Sequence, residues 1–241
     1  MTAPTFSGKS VVVTGGTSGI GAAVSSAFRQ AGATVIATGA FQQEIDALSP
    51  DDARSARVLD VRNQAAIGTL FAEIGSLDVL VNCAGIIRRG EEHDPTIFAQ
   101  VIDINLNGTM RMCSAARPLL AAGGQGSIVN LASMLSIFGG GLAPAYSASK
   151  GGVAQLTKSL AIAYAAENIR VNAVAPGWIA TPLTSALRED DTRSRTILAR
   201  TPLGRWGKPE DVAGPVLFLC STAASFITGT ILNIDGGYAI V

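Results

Sequence analysis

Short, almost unbroken apolar runs alternate along this chain with longer stretches whose apolar positions recur at helical spacing. The runs at 10–13, 34–38, 57–59, 79–81, 127–131, 170–174 and 231–234 are rich in Val and Ile. Strands of that kind are buried on both faces, since an exposed face would impose alternation with polar residues. The segments 20–31, 64–74, 96–121 and 145–166 carry apolar residues three and four apart, and another helix is expected to start near Glu210. Strand–helix–strand alternation over the whole length predicts an α/β fold. It is a doubly wound parallel sheet of Rossmann type, with helices on both faces and right-handed crossovers. No linker, repeat or low-complexity segment interrupts the pattern, so residues 1–241 read as a single domain. The segment 178–206 departs from it. That segment is polar, rich in Arg and Thr, and follows a strand end, where substrate lids are commonly inserted.

Composition narrows the chemistry. The 241 residues are 48% hydrophobic and carry 18 basic and 18 acidic side chains with no block of either sign. Such a chain offers no basic face to a nucleic acid. No stretch approaches the roughly 18 apolar residues of a membrane span, and residues 1–9 lack the apolar centre of a signal peptide. Cys83, Cys113 and Cys220 are odd in number and far apart, which suits neither a disulfide framework nor a metal site. A cytoplasmic protein without metal, membrane or nucleic-acid partner is expected. His93 is the only histidine and lies among Glu91, Glu92 and Asp94. It reads as a loop residue, and without a Gly-x-Ser-x-Gly elbow there is no Ser-His-Asp hydrolase to build.

Directly after the first strand stands Thr14-Gly15-Gly16-Thr17-Ser18-Gly19-Ile20-Gly21, followed by a helix. Glycines there let the backbone turn tightly and approach a pyrophosphate, and the free N–H groups of the helix start favour its charge. The position in the first strand–turn–helix unit makes this a dinucleotide site rather than an ordinary turn.

Further along, Tyr146 and Lys150 stand four apart in an expected helix and so share one face. Reduction of a carbonyl needs a hydride donor and a proton donor on one group. A phenol with a reference pKa of about 10 becomes useful when an ammonium favours its phenolate. Taken singly, the two residues read rather as a packing tyrosine and a solvated helix lysine; it is Ser133 and the glycine turn beside them that favour the catalytic reading.

The glycine spacing is Gly-x3-Gly-x-Gly, and here the chain resembles the short-chain dehydrogenase/reductase family. The resemblance runs in order through Asp60-Val61, Asn82-Cys83-Ala84-Gly85 with Cys83 in place of a second Asn, and Asn105-Leu106-Asn107-Gly108. It continues through Ser133, Tyr146-Ser147-Ala148-Ser149-Lys150, Pro176-Gly177-Trp178-Ile179-Ala180-Thr181 and Asp235-Gly236-Gly237. It implies an NAD(P)-dependent dehydrogenase with Asn105, Ser133, Tyr146 and Lys150 as catalytic residues. In that scheme Tyr146 exchanges the proton, Ser133 bonds the substrate oxygen, and Asn105 holds a water linking Lys150 to solvent. Cofactor contacts are implied for Gly15, Thr17, Ser18, Gly19, Ile20, Gly21, Gly39, Asp60, Val61, Asn82, Ala84, Gly85, Tyr146, Lys150, Pro176, Gly177, Ile179 and Thr181. Asp60-Val61 would meet adenine, and Ile179 and Thr181 the carboxamide.

The choice between NAD and NADP turns on the end of the second strand, where an acidic residue marks NAD and a basic one NADP. That position is Gly39, with no side chain, and neither Gly16–Ser18 nor the stretch around Gly39 carries a cation. A 2′-phosphate without a cation binds poorly, whereas a hydroxyl can be served by backbone or by Gln42. NAD is therefore favoured, with NADP the alternative and Arg62 the residue that would argue for it.

Within the family, the stretches Ala84–Arg89, Ala132–Ser136, Leu198–Pro202 and Gly204–Gly207 resemble dehydrogenases of 2-dehydro-3-deoxy-gluconate and related keto-sugar acids. A sugar acid brings a carboxylate, which suits arginine, and Arg88, Arg89 and Arg205 are the candidates, with Arg200 nearby. Each reads equally as a solvated or subunit-contact arginine, and the approach to Tyr146 at 140–144 is apolar. A β-ketoacyl reductase of fatty-acid type is the alternative enzyme, and a catalytically idle nucleotide-binding regulator the alternative of another class. The Ala- and Leu-rich helices at 96–121 and 145–166 are expected to pair subunits into a homotetramer.

Overall fold

The structure, a computed structural model, describes residues 5–241. Of the amino-terminal segment 1–9, residues 1–4 therefore lie outside the described residues. Each apolar run becomes a strand: β1 (Ser10–Thr14), β2 (Thr34–Gly39), β3 (Ala56–Val58), β4 (Val79–Asn82), β5 (Ser127–Leu131), β6 (Arg170–Pro176) and β7 (Ile231–Ile234). They form one parallel sheet in the order β3-β2-β1-β4-β5-β6-β7. Between them run α1 (Gly19–Gln30), α2 (Gln42–Asp46), α3 (Pro50–Arg54), α4 (Gln64–Ile74), α5 (Pro95–Ile102) and α6 (Gly108–Ala122). The carboxy-terminal half adds α7 (Pro144–Tyr164), α8 (Ser185–Glu189), α9 (Asp191–Ala199) and α10 (Pro209–Cys220).

Alternation along the strands splits the core into two layers. Val12, Leu80 and Ile128 point to one face and pack on Ile67 and Phe71 of α4, Met112 and Leu120 of α6 and Leu160 of α7. Val11, Val13, Val81 and Val129 point to the other and pack on Val24 and Phe28 of α1 and Val212 and Val216 of α10. Each fully buried Val or Leu contributes about 1.5–3 kcal/mol, so the sheet centre is the rigid base on which its strand ends are held. Among the described residues no helix is long and apolar enough to cross a membrane.

The structure differs from the sequence expectation in three respects. The strand expected at 57–59 lies at 56–58 on the sheet edge, where Arg57 and Val58 are exposed and two-sided burial does not apply. The helix expected at 96–121 is divided by a π-turn at Asp103–Asn107, an insertion of the sort found at functional sites. The short α2 and α3 were not expected, because five residues cannot display a helical period. Local chemistry makes α3 even so: the Ser49 side chain accepts from Asp52 N at 3.2 Å, and Pro50 sits in the first turn.

The excursion at 178–206 folds into α8 and α9 and is closed at its base. Ile179 and Gly207 form a parallel bridge, with Ala180 N to Gly207 O at 2.8 Å and Gly207 N to Trp178 O at 2.9 Å. Trp178 and Trp206 meet edge to face at 6.0 Å over that bridge.

Candidate active site

Connections leave β1 and β4 in opposite directions, which opens a crevice beyond their carboxyl ends. Thr14 and Asn82, paired in register, mark its floor. Above Thr14 the chain turns through Gly15 at φ +60°, and α1 then presses on that turn so closely that a Cβ on Gly21 would sit 2.1 Å from Gly15 O. Ser18 stands at the start of α1 without making a side-chain capping bond, so the first N–H groups of the helix remain available to phosphate oxygens. A cradle that tolerates no side chain, roofed by free amides, fits a dinucleotide.

Some of the other expected cofactor residues lie beside this cradle. A Cβ on Gly15 would lie 2.9 Å from Ala84 Cα, and one on Gly19 3.4 Å from Thr181 Cγ2, so the loops after β4 and β6 flank the turn. Gly85 brings in Lys150 Nζ and Asn105 Oδ1, 3.6 and 3.2 Å from its virtual Cβ. The side chains of Val61 and Ile179 are buried in the core, so any cofactor contact they make runs through the main chain. Gly177 closes onto β7 through its N–H to Ile234 O at 2.9 Å. Asp60 is clasped by Arg62, with Nε–Oδ1 at 3.0 Å and Nη2–Oδ2 at 2.7 Å, which holds its carboxyl below the usual range. Arg62 is thereby engaged. Gln42, expected as a partner for a ribose hydroxyl, instead donates to Asp46 Oδ1 at 2.8 Å.

Tyr146 and Lys150 lie one turn apart near the start of α7, with Nζ 5.6 Å from the phenol ring centroid. Lys150 is buried and donates to Leu131 O at 2.5 Å, and burial pulls its ammonium down to about 8. The expected lowering of Tyr146 by Lys150 is not found. Burial pushes the phenol above its ordinary value, while a hydrogen bond with Ser133 and the charge of Arg89 oppose that rise. The physical reason is that Lys150 is aimed at a carbonyl and Arg89 is the cation that counts. Ser133 lies two residues beyond β5 and is oriented by the short helical turn it opens, its Oγ accepting from Leu135 N at 3.1 Å.

Asn105 is fully buried, and its side chain is engaged by backbone and by Ser149. It donates to Ile86 O at 2.9 Å and Ser149 Oγ at 3.0 Å, and accepts from Ile86 N at 2.8 Å. The π-turn is what brings it inward. Its side chain clamps the loop after β4 against α7.

Sequence reasoning passed over two carboxylates. Glu92, only 1% exposed, accepts from Arg88 N and from Tyr146 N, each at 2.8 Å. Ala143 offers α7 no side-chain cap, so Glu92 caps it from outside and fixes the main chain of the tyrosine. Glu44, on α2, places Oε2 3.0 Å from Thr17 Oγ1 and 3.2 Å from Ala40 N. Both lie in polar runs that read as solvated surface, and no local spacing distinguishes them.

The candidate substrate arginines separate. Arg89 is half-buried beside Tyr146, its charge close enough to favour the phenolate. Among the described residues it has no carboxylate partner within ion-pair distance, only Leu183 O at 3.4 Å. Arg88 is exposed. Arg205 binds Asp211 through both oxygens at 2.6 and 3.1 Å, and lines a separate cavity of about 250 Å³ to which Ser133, Tyr146 and Lys150 do not contribute. Arg200 stacks on Tyr238, 4.5 Å from its centroid. His93 is exposed, with Nε2 3.0 Å from Gly141 O. Among the described residues no cluster of three or more His, Cys, Asp or Glu is placed to hold a metal ion.

Known proteins carry the same frame. Residues 15–239 match a family model described as enoyl-(acyl carrier protein) reductase. The chain is 40% identical over 240 residues to 2-dehydro-3-deoxy-D-gluconate 5-dehydrogenase of Bacillus subtilis, covering 96% of this chain and 94% of that protein. It is 41% identical to a 3-oxoacyl-acyl-carrier-protein reductase of Thermotoga maritima, covering 97% and 98%. Among solved structures, a putative NAD(P)-dependent gluconate 5-dehydrogenase from Beutenbergia cavernae, with bound NADP at low occupancy, superposes with a TM-score of 0.89. It is 39% identical and covers 98% of this chain and 99% of its own.

Proposed function

Since this chain belongs to the short-chain dehydrogenase/reductase family and is an NAD(P)-dependent oxidoreductase, we propose that it interconverts a secondary alcohol and a ketone on a small sugar acid. The observation that carries the substrate class is Arg89, a half-buried guanidinium beside the reacting phenol with no carboxylate at ion-pair distance among the described residues. Burial pulls it below the usual guanidinium range, a cost that a substrate carboxylate would offset through paired hydrogen bonds.

When bound in the cradle, a nicotinamide dinucleotide would supply or take up the hydride. In the reducing direction Tyr146 hands its phenolic proton to the substrate oxygen, and Ser133 bonds that oxygen as it gains charge. Arg89 favours the phenolate left behind, and the Lys150 ammonium, near 8, can exchange protons close to neutrality. Asn105 holds the loop against which Lys150 lies, and Glu92 keeps the tyrosine main chain in place. Oxidation runs the same steps backwards. NAD is the favoured cofactor on the charge argument, with no cation in Gly16–Ser18 and Arg62 held by Asp60. The segment 178–206 is the substrate lid, and three unpaired cysteines suit a cytoplasmic setting.

A panel of keto-sugar acids and β-ketoacyl thioesters, each with both cofactors, tests the substrate class. Activity is expected on the sugar acids, and Arg89→Ala is expected to raise KM about 10–100-fold, the value of a charged hydrogen bond. Turnover confined to the thioesters would overturn the reading.

Met110 on α6 and Ile162 on α7 are exposed, as are Phe226 and Ile240 on either side of edge strand β7. Two separate apolar faces suit a homotetramer. Light scattering is expected to give four protomers of 24.6 kDa, and a monomer would contradict it.

A further inference from the structure

The end of β2 lacks the acidic side chain that ordinarily accepts from the adenosine ribose. Gly39 stands there, 20 residues beyond Gly19 of the phosphate turn. The space beside Gly39 is nonetheless filled by a carboxylate. Helix α2 turns the chain back, and Glu44 Oε2 lies 2.5 Å from where a Cβ on Gly39 would be. The same oxygen accepts from Thr17 Oγ1 at 3.0 Å and Ala40 N at 3.2 Å, which ties α2 to the phosphate turn. Among the described residues, Oε1 of Glu44 accepts no hydrogen bond and is left as a free acceptor. The absence of a side chain at position 39 is thus the condition for a carboxylate arriving from five residues later.

We propose that Glu44 reads the 2′ position of the adenosine ribose and makes this protein select NAD over NADP. The proposal rests on the dinucleotide reading above and assigns its selectivity to one residue. A ribose hydroxyl donates to the free oxygen, whereas a 2′-phosphate would be brought against a fixed negative charge. The cations of this corner do not offset that charge. Arg29 pairs with Asp52, Arg54 with Asp51 and Arg62 with Asp60, and Arg57 donates to the carbonyls of Arg54 and Ala56.

Calorimetric binding of NAD⁺ and of NADP⁺ to the full chain, without substrate, provides the test. The wild-type protein is expected to bind NAD⁺ roughly tenfold or more tightly than NADP⁺, the size of one charge-assisted hydrogen bond. Glu44→Gln, which keeps the shape and removes the charge, is expected to lower that ratio by about tenfold, and Glu44→Ala to do the same. Wild-type protein that binds NADP⁺ as tightly as NAD⁺ would overturn the assignment, and this measurement requires no variant to fold. Variants that retain the wild-type ratio would overturn it equally. Failure of the wild-type chain to bind either nucleotide would instead bring down the dinucleotide reading itself.

Discussion

Tyr146→Phe is expected to lower kcat by about 10²–10⁴-fold, the range lost when a positioned proton donor is removed. The substitution deletes one hydroxyl and keeps the ring. The main chain at 146 stays anchored, because Glu92 holds its N–H and not its phenol. Lys150 also stays, since Leu131 O receives its ammonium. Dinucleotide affinity should therefore be roughly unchanged in calorimetry while steady-state turnover disappears. A variant keeping more than about a tenth of wild-type turnover would show that the proton comes from elsewhere.

Gly21→Ala is expected to weaken dinucleotide binding by about 100-fold or more, which corresponds to roughly 2.7 kcal/mol. The added methyl would lie 2.1 Å from Gly15 O and 2.8 Å from Gly15 C, so backbone must move. Gly15 cannot yield easily, because on its other side it is pressed against the backbone of Ala84 and its φ is +60°. The phosphate cradle is what deforms, with an overpacking cost of about 1–3 kcal/mol in stability as well. Gly68→Ala on α4 is the matched control, since nothing lies within 4 Å of its virtual Cβ. Fluorescence titration with reduced cofactor and thermal unfolding of both variants would decide. Wild-type affinity in Gly21→Ala would remove the cradle as the phosphate site.

The parts of this protein legible in its sequence are those set by local pattern. Runs such as Val11–Val13 and Val79–Val81 announce strands because both faces of the sheet are covered. The four-residue interval from Tyr146 to Lys150 announces a shared helix face, and the glycine turn announces itself by its place after β1. What stayed hidden depends on partners distant in the chain. Glu92 meets Tyr146 across 54 positions, and Glu44 meets Thr17 across 27, so neither has a neighbour that betrays it. Four arginines were chemically equivalent as letters. Only packing separates Arg89, which no carboxylate reaches at ion-pair distance among the described residues, from Arg205, already bound to Asp211. The π-turn was hidden for another reason. A single inserted residue barely disturbs the helical period, yet it is what turns Asn105 inward.

Both tryptophans of the chain stand at one place, the closed base of the 178–206 excursion, with Trp206 Nε1 held by Ser194 Oγ at 2.9 Å on α9. Ultraviolet emission from this protein therefore originates almost wholly at the base of that excursion. The chain carries a built-in optical probe there, one that needs no label and is silent about the rest of the molecule.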